Sequence, residues 1–374
     1  IAHSKPVNPV DVPPYTHLYN ERKPTDRFQD GEEFICSYHP IKRCSIEHIP
    51  DEPIMGDAFA GVGGMSKGFE EAGFHVGYCV ENNSQAAASL RLTHGSACMF
   101  VEDVDDFLKK VRLNAAGYPH QIDHWHVSTS CKSYSTANRN ATPSVQDLRN
   151  MAQSAKFVEG VDEFNPYTAT MENVASMMWK GKIRLQQIIQ RLTMECGYSV
   201  VLAVHNAKFY GVPQNRRRLV LYASKIGLPE LPKPTHSSEE VRSVMDAIED
   251  LKDVPPQTGC GIVGVVDMIS QEELLIEHHR KFTELTEENR RHFTKLDGRR
   301  PAPTITTCNR LLHPSLDRPL THREYARLQD FLDTHVFVGG QGDIRRQIGN
   351  AVPRGLARAI GLAVMRIYEN ARSG

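Results

Sequence analysis

The residues best suited to chemistry begin at Asp57. A short apolar run, Ile54 to Phe59, ends in Ala60-Gly61-Val62-Gly63-Gly64, and Met65 to Ala72 then carries helical spacing and closes at Gly73, a natural C-cap. Strand, glycine loop and helix in that order let backbone approach a nucleotide-bearing cofactor at the carboxyl end of the strand. Glu81 follows the next apolar run, His75 to Val80, and suits a ribose diol; Asp103 lies at the third expected strand tip and suits an adenine amino group. A nicotinamide dinucleotide is the obvious rival ligand, but Asp57 beside the loop sets a negative charge against a pyrophosphate and favours a cation. The sulfonium and amino group of S-adenosylmethionine meet that requirement. With Asn82 and Val104 beside the two acids, the expected cofactor residues of this half are Asp57, Phe59, Gly61, Gly63, Gly64, Glu81, Asn82, Asp103 and Val104.

These residues need a frame, and the rest of the pattern supplies one. A helix is expected through about Leu92, a strand tip near Phe100 to Val104, a strand over His124 to Ser128 that runs into a Ser/Thr-rich loop at 128–144, and a helix over 148–159. A further strand, Thr168 to Met171, ends at Glu172-Asn173. A helix over 182–195 and β segments at 198–205 and 218–223 complete an α/β fold with a doubly wound, Rossmann-like sheet. From about Gly227 the texture turns Pro-rich (Pro229, Pro232, Pro234, Pro255, Pro256) and then charged around 271–292, which marks a smaller second lobe. Glu272, Glu273, Glu277, Glu284, Glu287 and Glu288 read as a solvated helical face. Thr321 with Glu324 forms a capping-box pattern that starts a helix through Phe331, and the segment from Gln347 to Arg372 ends in an apolar helix. The expected divisions are an extended arm over 1–50, a main domain over 51–226, a smaller lobe over 227–341, and a segment over 342–374 that returns to the main domain.

Composition narrows the function classes. The chain has 374 residues, 40% apolar and 24% charged, which excludes disordered, collagen-like and disulfide-scaffold classes. With 44 Lys+Arg against 45 Asp+Glu the formal net charge is -1, so any nucleic-acid surface has to be a local patch. The cysteines at 36, 44, 79, 98, 131, 196, 260 and 308 form no CxxC pair, which fits free thiols in a reducing compartment. Cys36, His39, Cys44 and His48 have spacings that zinc could use but match no finger pattern, and no metal is expected. No stretch approaches the roughly 20 apolar residues of a membrane span, so no membrane partner is expected. The start at Ile1-Ala2-His3-Ser4, without an initiator Met or a signal h-region, reads as a piece of a longer protein.

Five motifs give the pattern a family. Asp57-Ala-Phe59-Ala-Gly61-Val-Gly63-Gly64, Ser130-Cys131, Glu172-Asn173-Val174, Gln214-Asn-Arg216-Arg-Arg218 and Gln347-Ile-Gly349-Asn350-Ala-Val-Pro353 occur in the order and rough spacing of the C5-cytosine DNA methyltransferases, which use S-adenosylmethionine. The chain resembles that family over residues 54 to about 365. Thr321-His-Arg323-Glu324 and Ala326-Arg327-Leu328-Gln329 are similar to the helix that precedes its last motif.

The resemblance implies roles by position. Cys131 takes the place of the nucleophile, whose thiolate adds to C6 of cytosine because C5 is otherwise too poor a nucleophile to accept a methyl group. Glu172 is implied to bond N3 and the exocyclic amine, Arg218 to hold O2, Arg216 to support that loop and Asn173 to brace the loop bearing Cys131. Asn350, Ala351 and Val352 complete the cofactor site from the returning segment. Alone, a Cys is more often a small buried hydrophobe, a Glu a paired surface acid and Arg216 to Arg218 a solvated basic turn; together they form one site.

The sequence departs from the family at the nucleophile, where Pro-Cys-Gln becomes Ser130-Cys131-Lys132, followed by Ser133-Tyr134-Ser135. Ser130 leaves the loop more flexible than Pro would, whereas Lys132 beside the thiol favours the thiolate. The implied substrate is double-stranded DNA with the cytosine flipped out, the loop at 132–146 closing over it and Arg139 meeting phosphate. Sequence readout would fall to the 227–341 lobe. By analogy the chain is the catalytic part of a larger, chromatin-directed enzyme, nuclear if eukaryotic. Two rivals remain open: a tRNA cytosine-5 methyltransferase, whose Cys-Phe-Thr tripeptide is absent, and a non-catalytic DNA-binding module, supported by Ser130 alone.

Overall fold

Short apolar runs alternating with amphipathic helices assemble one eight-stranded sheet in the computed structural model, which describes residues 35–38, 49–129, 133–134, 144–251, 262–263, 286–308 and 310–373. The expectations for the side chain of Cys36, for His39, Cys44 and His48, for Ser130, Cys131, Lys132 and Arg139, and for Glu272, Glu273, Glu277 and Glu284 lie outside the described residues. The strands are β1 (Ile35–Tyr38), β2 (Ile54–Ala58), β3 (His75–Val80), β4 (Cys98–Phe100), β5 (His124–Ser128), β6 (Thr168–Val174), β7 (Ser199–Asn206) and β8 (Arg217–Ser224). Their order is β1-β7-β8-β6-β5-β2-β3-β4.

β4, β3, β2, β5 and β6 run parallel, β8 lies antiparallel between β6 and β7, and β1 adds an antiparallel edge with Ile35 opposite Ala203. Part of the expected arm is therefore a sheet edge. From β2 the chain builds β3 on one side and later β5 on the other, so the strand order reverses between β2 and β5. In open α/β sheets ligands bind in the crevice beyond the carboxyl ends at such a point.

Alternation sorts the side chains. Trp125, Val127, Ala169 and Met171 face α3 (Val104–Arg112), α5 (Ala155–Phe164) and α7 (Lys182–Gln190), meeting Phe107, Phe157, Leu185 and Ile188. The opposite face meets α1 (Gly64–Glu70) and the C-terminal helix Arg354–Ser373 through Phe69, Leu356, Ile360 and Tyr368. Each such fully buried side chain contributes about 1.5–3 kcal/mol. A third core joins Val244, Ile248, Leu296, Ile305, Leu320 and Leu328 to Val62 of the glycine loop and to Ile344 and Ile348. The described parts of the later chain thus share a core with the loop itself.

Several boundaries differ from the sequence expectation. The third strand ends at Phe100; Asp103 is the N-cap of α3, its side chain accepting from the Asp105 amide, and Val104 is the first, buried residue of that helix. An Asp that caps a helix and one that ends a strand look alike in sequence. The single helix expected over 148–159 is two, α4 (Val145–Ala152) and α5, because Ser144 and Asp147 close a capping box upstream and the chain restarts after Ser154. Glu172 and Asn173 lie inside β6 rather than beyond it. The last turn expected of the 182–195 helix is π-helical over Arg191–Glu195, and the helix opened by the Thr321–Glu324 capping box ends at Leu328.

Candidate active site

The glycine loop is held from both sides. Gly63, the N-cap of α1, has φ 82°, which a side chain would strain. Gly64 lies so close to the returning segment that a Cβ would stand 2.2 Å from the Val352 carbonyl oxygen. Glu81, half-buried at the tip of β3, accepts from the Gly61 amide at 2.9 Å and the Asn83 amide at 2.8 Å. Burial raises its carboxyl above the usual range, and those amides pull it back. Asn82 is exposed and donates to Asp103 at 3.4 Å, so both acids and Asn82 form one rim. Gly61 has open space where a Cβ would stand, and Phe59, with φ 57°, is half-buried beside it.

Asp57 is placed differently from the expectation of a loop-side charge. It is fully buried behind the loop, where it accepts from Ser66 Oγ at 2.5 Å, while its Oδ1 has no hydrogen-bond partner. Burial pushes its carboxyl up to about 7. Ser66 carries no sequence signal of this role, since a Ser inside a helix is ordinarily neutral.

The returning segment is tied down by a buried polar latch. The Arg216 guanidinium, 1% exposed, donates to the carbonyls of Ile305 at 2.8 Å, Gly349 at 3.1 Å and Ala351 at 2.9 Å. Gln214 donates to Gln329 Oε1 at 2.6 Å and accepts from the Ile305 amide at 2.8 Å, and Gln329 donates to the Ala351 carbonyl at 2.5 Å. These bonds set Ala351 and buried Val352 against the glycine loop and leave Asn350 exposed at the end of its helix, Gln341–Asn350. Arg216 therefore fixes the returning segment beside the glycine loop; Gln214 and Gln329 share that task, which their motifs alone did not reveal.

The second half lies at the ends of β5 and β6. Glu172 Oε1 is 2.9 Å from Arg218 Nε, with each side chain only 8% exposed. Burial raises the Glu172 carboxyl, opposed by the charges of Arg218 and Arg216. Asn173 Nδ2 donates to Thr129 Oγ1 at 2.9 Å, two residues before Cys131 in the chain, and Ser176 Oγ donates to the Tyr134 carbonyl at 2.6 Å, three residues after it. One stretch, 172–176, thus carries the acid and fixes the chain on either side of the thiol position. Ser176 was not foreseen.

This arrangement can hold a small cationic nucleotide cofactor on one side of the switch point and a polar, planar ring edge on the other. A family model, C-5 cytosine-specific DNA methylase, matches residues 55–366. The chain belongs to that family. Membership makes it an S-adenosylmethionine-dependent DNA cytosine-5 methyltransferase in kind. The type II methyltransferase M.PspPI of Psychrobacter sp. (strain TA137) is 30% identical over 92% of this chain and 87% of its own length. M1.HphI of Haemophilus parahaemolyticus is 28% identical over 90% and 91%. Among solved structures, a putative DNA modification methyltransferase encoded within an E. coli prophage shares the fold at TM-score 0.64 and 21% identity, covering 85% of this chain and all (100%) of that one. The Dnmt2 methyltransferase of S. pombe does so at TM-score 0.57 and 15% identity, over 85% and 99%. Among the described residues no helix is long and apolar enough to cross a membrane.

Proposed function

We propose that this methyltransferase acts on a cytosine flipped out of duplex DNA and bonds it covalently through Cys131. The observation that carries the reading is the buried Glu172–Arg218 pair one strand from Thr129, with Cys131 two residues further along the chain. A cytosine inside a duplex cannot present C6 to a thiol, so extrusion of the base comes first. The Cys131 thiolate then adds to C6, and the ring electrons shift toward C5, which becomes the nucleophile. Glu172, protonated when the base is in place, offsets the charge that develops on the ring by donating to N3 and accepts from the 4-amino group, and Arg218 holds O2 while keeping Glu172 in place. Asn173 fixes the strand end from which the thiol loop departs.

S-adenosylmethionine, when bound, would supply an electrophilic methyl group, with the broken sulfur–methyl bond's electrons left on neutral S-adenosylhomocysteine. Phe59, Gly61, Gly63 and Gly64 form its cradle, Glu81, Asn82, Asp103 and Val104 its nucleoside rim, Asn350, Ala351 and Val352 its far wall, and Asp57 a buried counter-charge. After transfer C5 loses its proton to solvent and the Cys131–C6 bond breaks, which restores the aromatic ring and the thiolate. Affinity for the duplex comes mainly from phosphate contacts.

Methyl transfer from labelled cofactor to duplex DNA and to tRNA, together with a covalent trap on 5-fluorocytosine DNA, tests the reading. Duplex DNA should be labelled and trapped, and Cys131→Ser should trap nothing. Substantial turnover by Cys131→Ala would remove the nucleophile, and labelling of tRNA alone would replace the substrate.

A further inference from the structure

The face of β5 and β6 turned toward α1 carries an unbroken row of side-chain hydrogen bonds that the chemistry above does not use. The Tyr368 hydroxyl donates to the Asp123 carbonyl at 2.7 Å and lies 2.9 Å from Thr168 Oγ1. Thr168 Oγ1 is 2.7 Å from His124 Nδ1, and His124 Nε2 is 2.9 Å from Thr170 Oγ1. Thr170 Oγ1 is in turn 2.7 Å from His126 Nδ1, and His126 Nε2 is 2.8 Å from Ser128 Oγ.

A carbonyl can only accept, so the tyrosine proton belongs to Asp123 and Thr168 must donate to the tyrosine oxygen. Burial holds both imidazoles neutral, His124 well below the usual histidine range and His126 at about 3. A neutral ring has one donor and one acceptor nitrogen, so each assignment forces the next. His124 donates to Thr168, Thr170 donates to His124, His126 donates to Thr170, and Ser128 donates to His126. The Ser128 proton is committed inward.

Ser128 is the last residue of β5, half-buried, at the point where the strand order reverses, and its cross-strand partner is Glu172. Its oxygen therefore meets the crevice as an acceptor only. We propose that Ser128 reads an amino group presented at this sheet edge, and that the 4-amino group of the target base is the donor it reads. The inference rests on the proposed function, which brings that edge of the ring to Glu172; the cofactor's own amine is the other N–H donor that reaches the switch point. A 4-oxo pyrimidine would set oxygen against oxygen, so Ser128 becomes a determinant of cytosine over uracil.

The test compares trapping rates on 5-fluorocytosine and 5-fluorouracil duplexes for the wild type, Ser128→Ala and Ser128→Thr, with calorimetric binding of S-adenosylhomocysteine in the absence of DNA. Ser128→Ala should lower the fluorocytosine preference about tenfold, Ser128→Thr should retain it, and cofactor-product affinity should hold in both. An unchanged preference with about tenfold weaker S-adenosylhomocysteine binding in Ser128→Ala alone would keep the acceptor and move it to the cofactor amine. No change in either readout overturns the proposal. A wild type that traps neither duplex counts against Cys131 as nucleophile; the ratio of equilibrium affinities for duplexes with cytosine or uracil at the target then decides the Ser128 reading, lowered about tenfold in Ser128→Ala if it holds and unchanged if it fails.

Discussion

Glu172 and Arg218 form an ion pair across two antiparallel strands, Oε1 to Nε 2.9 Å, almost closed to solvent. Burial alone would drive Glu172 toward its neutral form, and the arginine opposes this. Glu172→Gln keeps an acceptor for Arg218 Nε but removes the acid, so the variant should fold and lose about 10²–10⁴-fold in kcat. Arg218→Ala leaves a buried carboxylate without its cation and should cost about 3–5 kcal/mol of stability. Denaturant midpoints beside single-turnover rates separate the two effects; a Glu172→Gln enzyme of normal rate would remove the acid from the chemistry.

Arg216 joins three carbonyls that lie far from it in sequence, and Lys cannot match a planar fork of donors. Arg216→Lys should therefore weaken S-adenosylmethionine binding about tenfold by loosening the turn at Gly349–Ala351, and lower the unfolding free energy by about 1–3 kcal/mol. Calorimetry and chemical denaturation check both. Lost stability with intact cofactor affinity would mean that the latch does not hold the cofactor wall.

Asn173 reaches across to Thr129 from the strand that bears Glu172. Asn173→Ala should reduce kcat about tenfold or more while leaving KM for DNA near the wild-type value, because a displaced thiol loop affects the reacting atoms and spares phosphate contacts. Steady-state kinetics with a fixed duplex distinguishes this from a general loss of fold, which would lower the active fraction without slowing Cys131 alkylation in the remainder.

The strands were legible because short apolar runs and glycine punctuation mark them directly: β2, β3 and β5 stand within one residue of where those runs place them. Helix starts were less so. Asp103 reads as a strand tip until the Asp105 amide shows it to be a cap, and only the Ser144–Asp147 box explains why α4 and α5 are separate. Ordered motifs singled out Glu172 and Arg218, which the structure pairs, and the glycine loop, which it sets against Val352. Ser66, Ser176 and the Gln329 contact with Ala351 stayed hidden because their partners lie far along the chain or on a helix face that no local pattern predicts.

Asp57 gives the protein a pH signature. Its carboxyl stands at about 7 in the folded state against an ordinary 3.8, so the folded protein holds a proton there that the unfolded chain gives up. The resulting stabilisation is fully present below about pH 3.8 and is lost as pH rises through about 7, with a slope of at most about 1.4 kcal/mol per pH unit. Asp57→Asn lacks that decline, so its stability relative to wild type should climb between pH 4 and pH 7 (roughly the interval of the shift) and level off above it. A bound sulfonium should also draw the proton off. S-adenosylmethionine should release more protons near pH 6.5 (just below the folded value of about 7) than S-adenosylhomocysteine, which has no positive sulfur. Calorimetry in two buffers of different ionisation enthalpy counts those protons for each ligand. Equal counts would place the sulfonium away from Asp57, and the acid would then serve only to hold Ser66 and the first turn of α1.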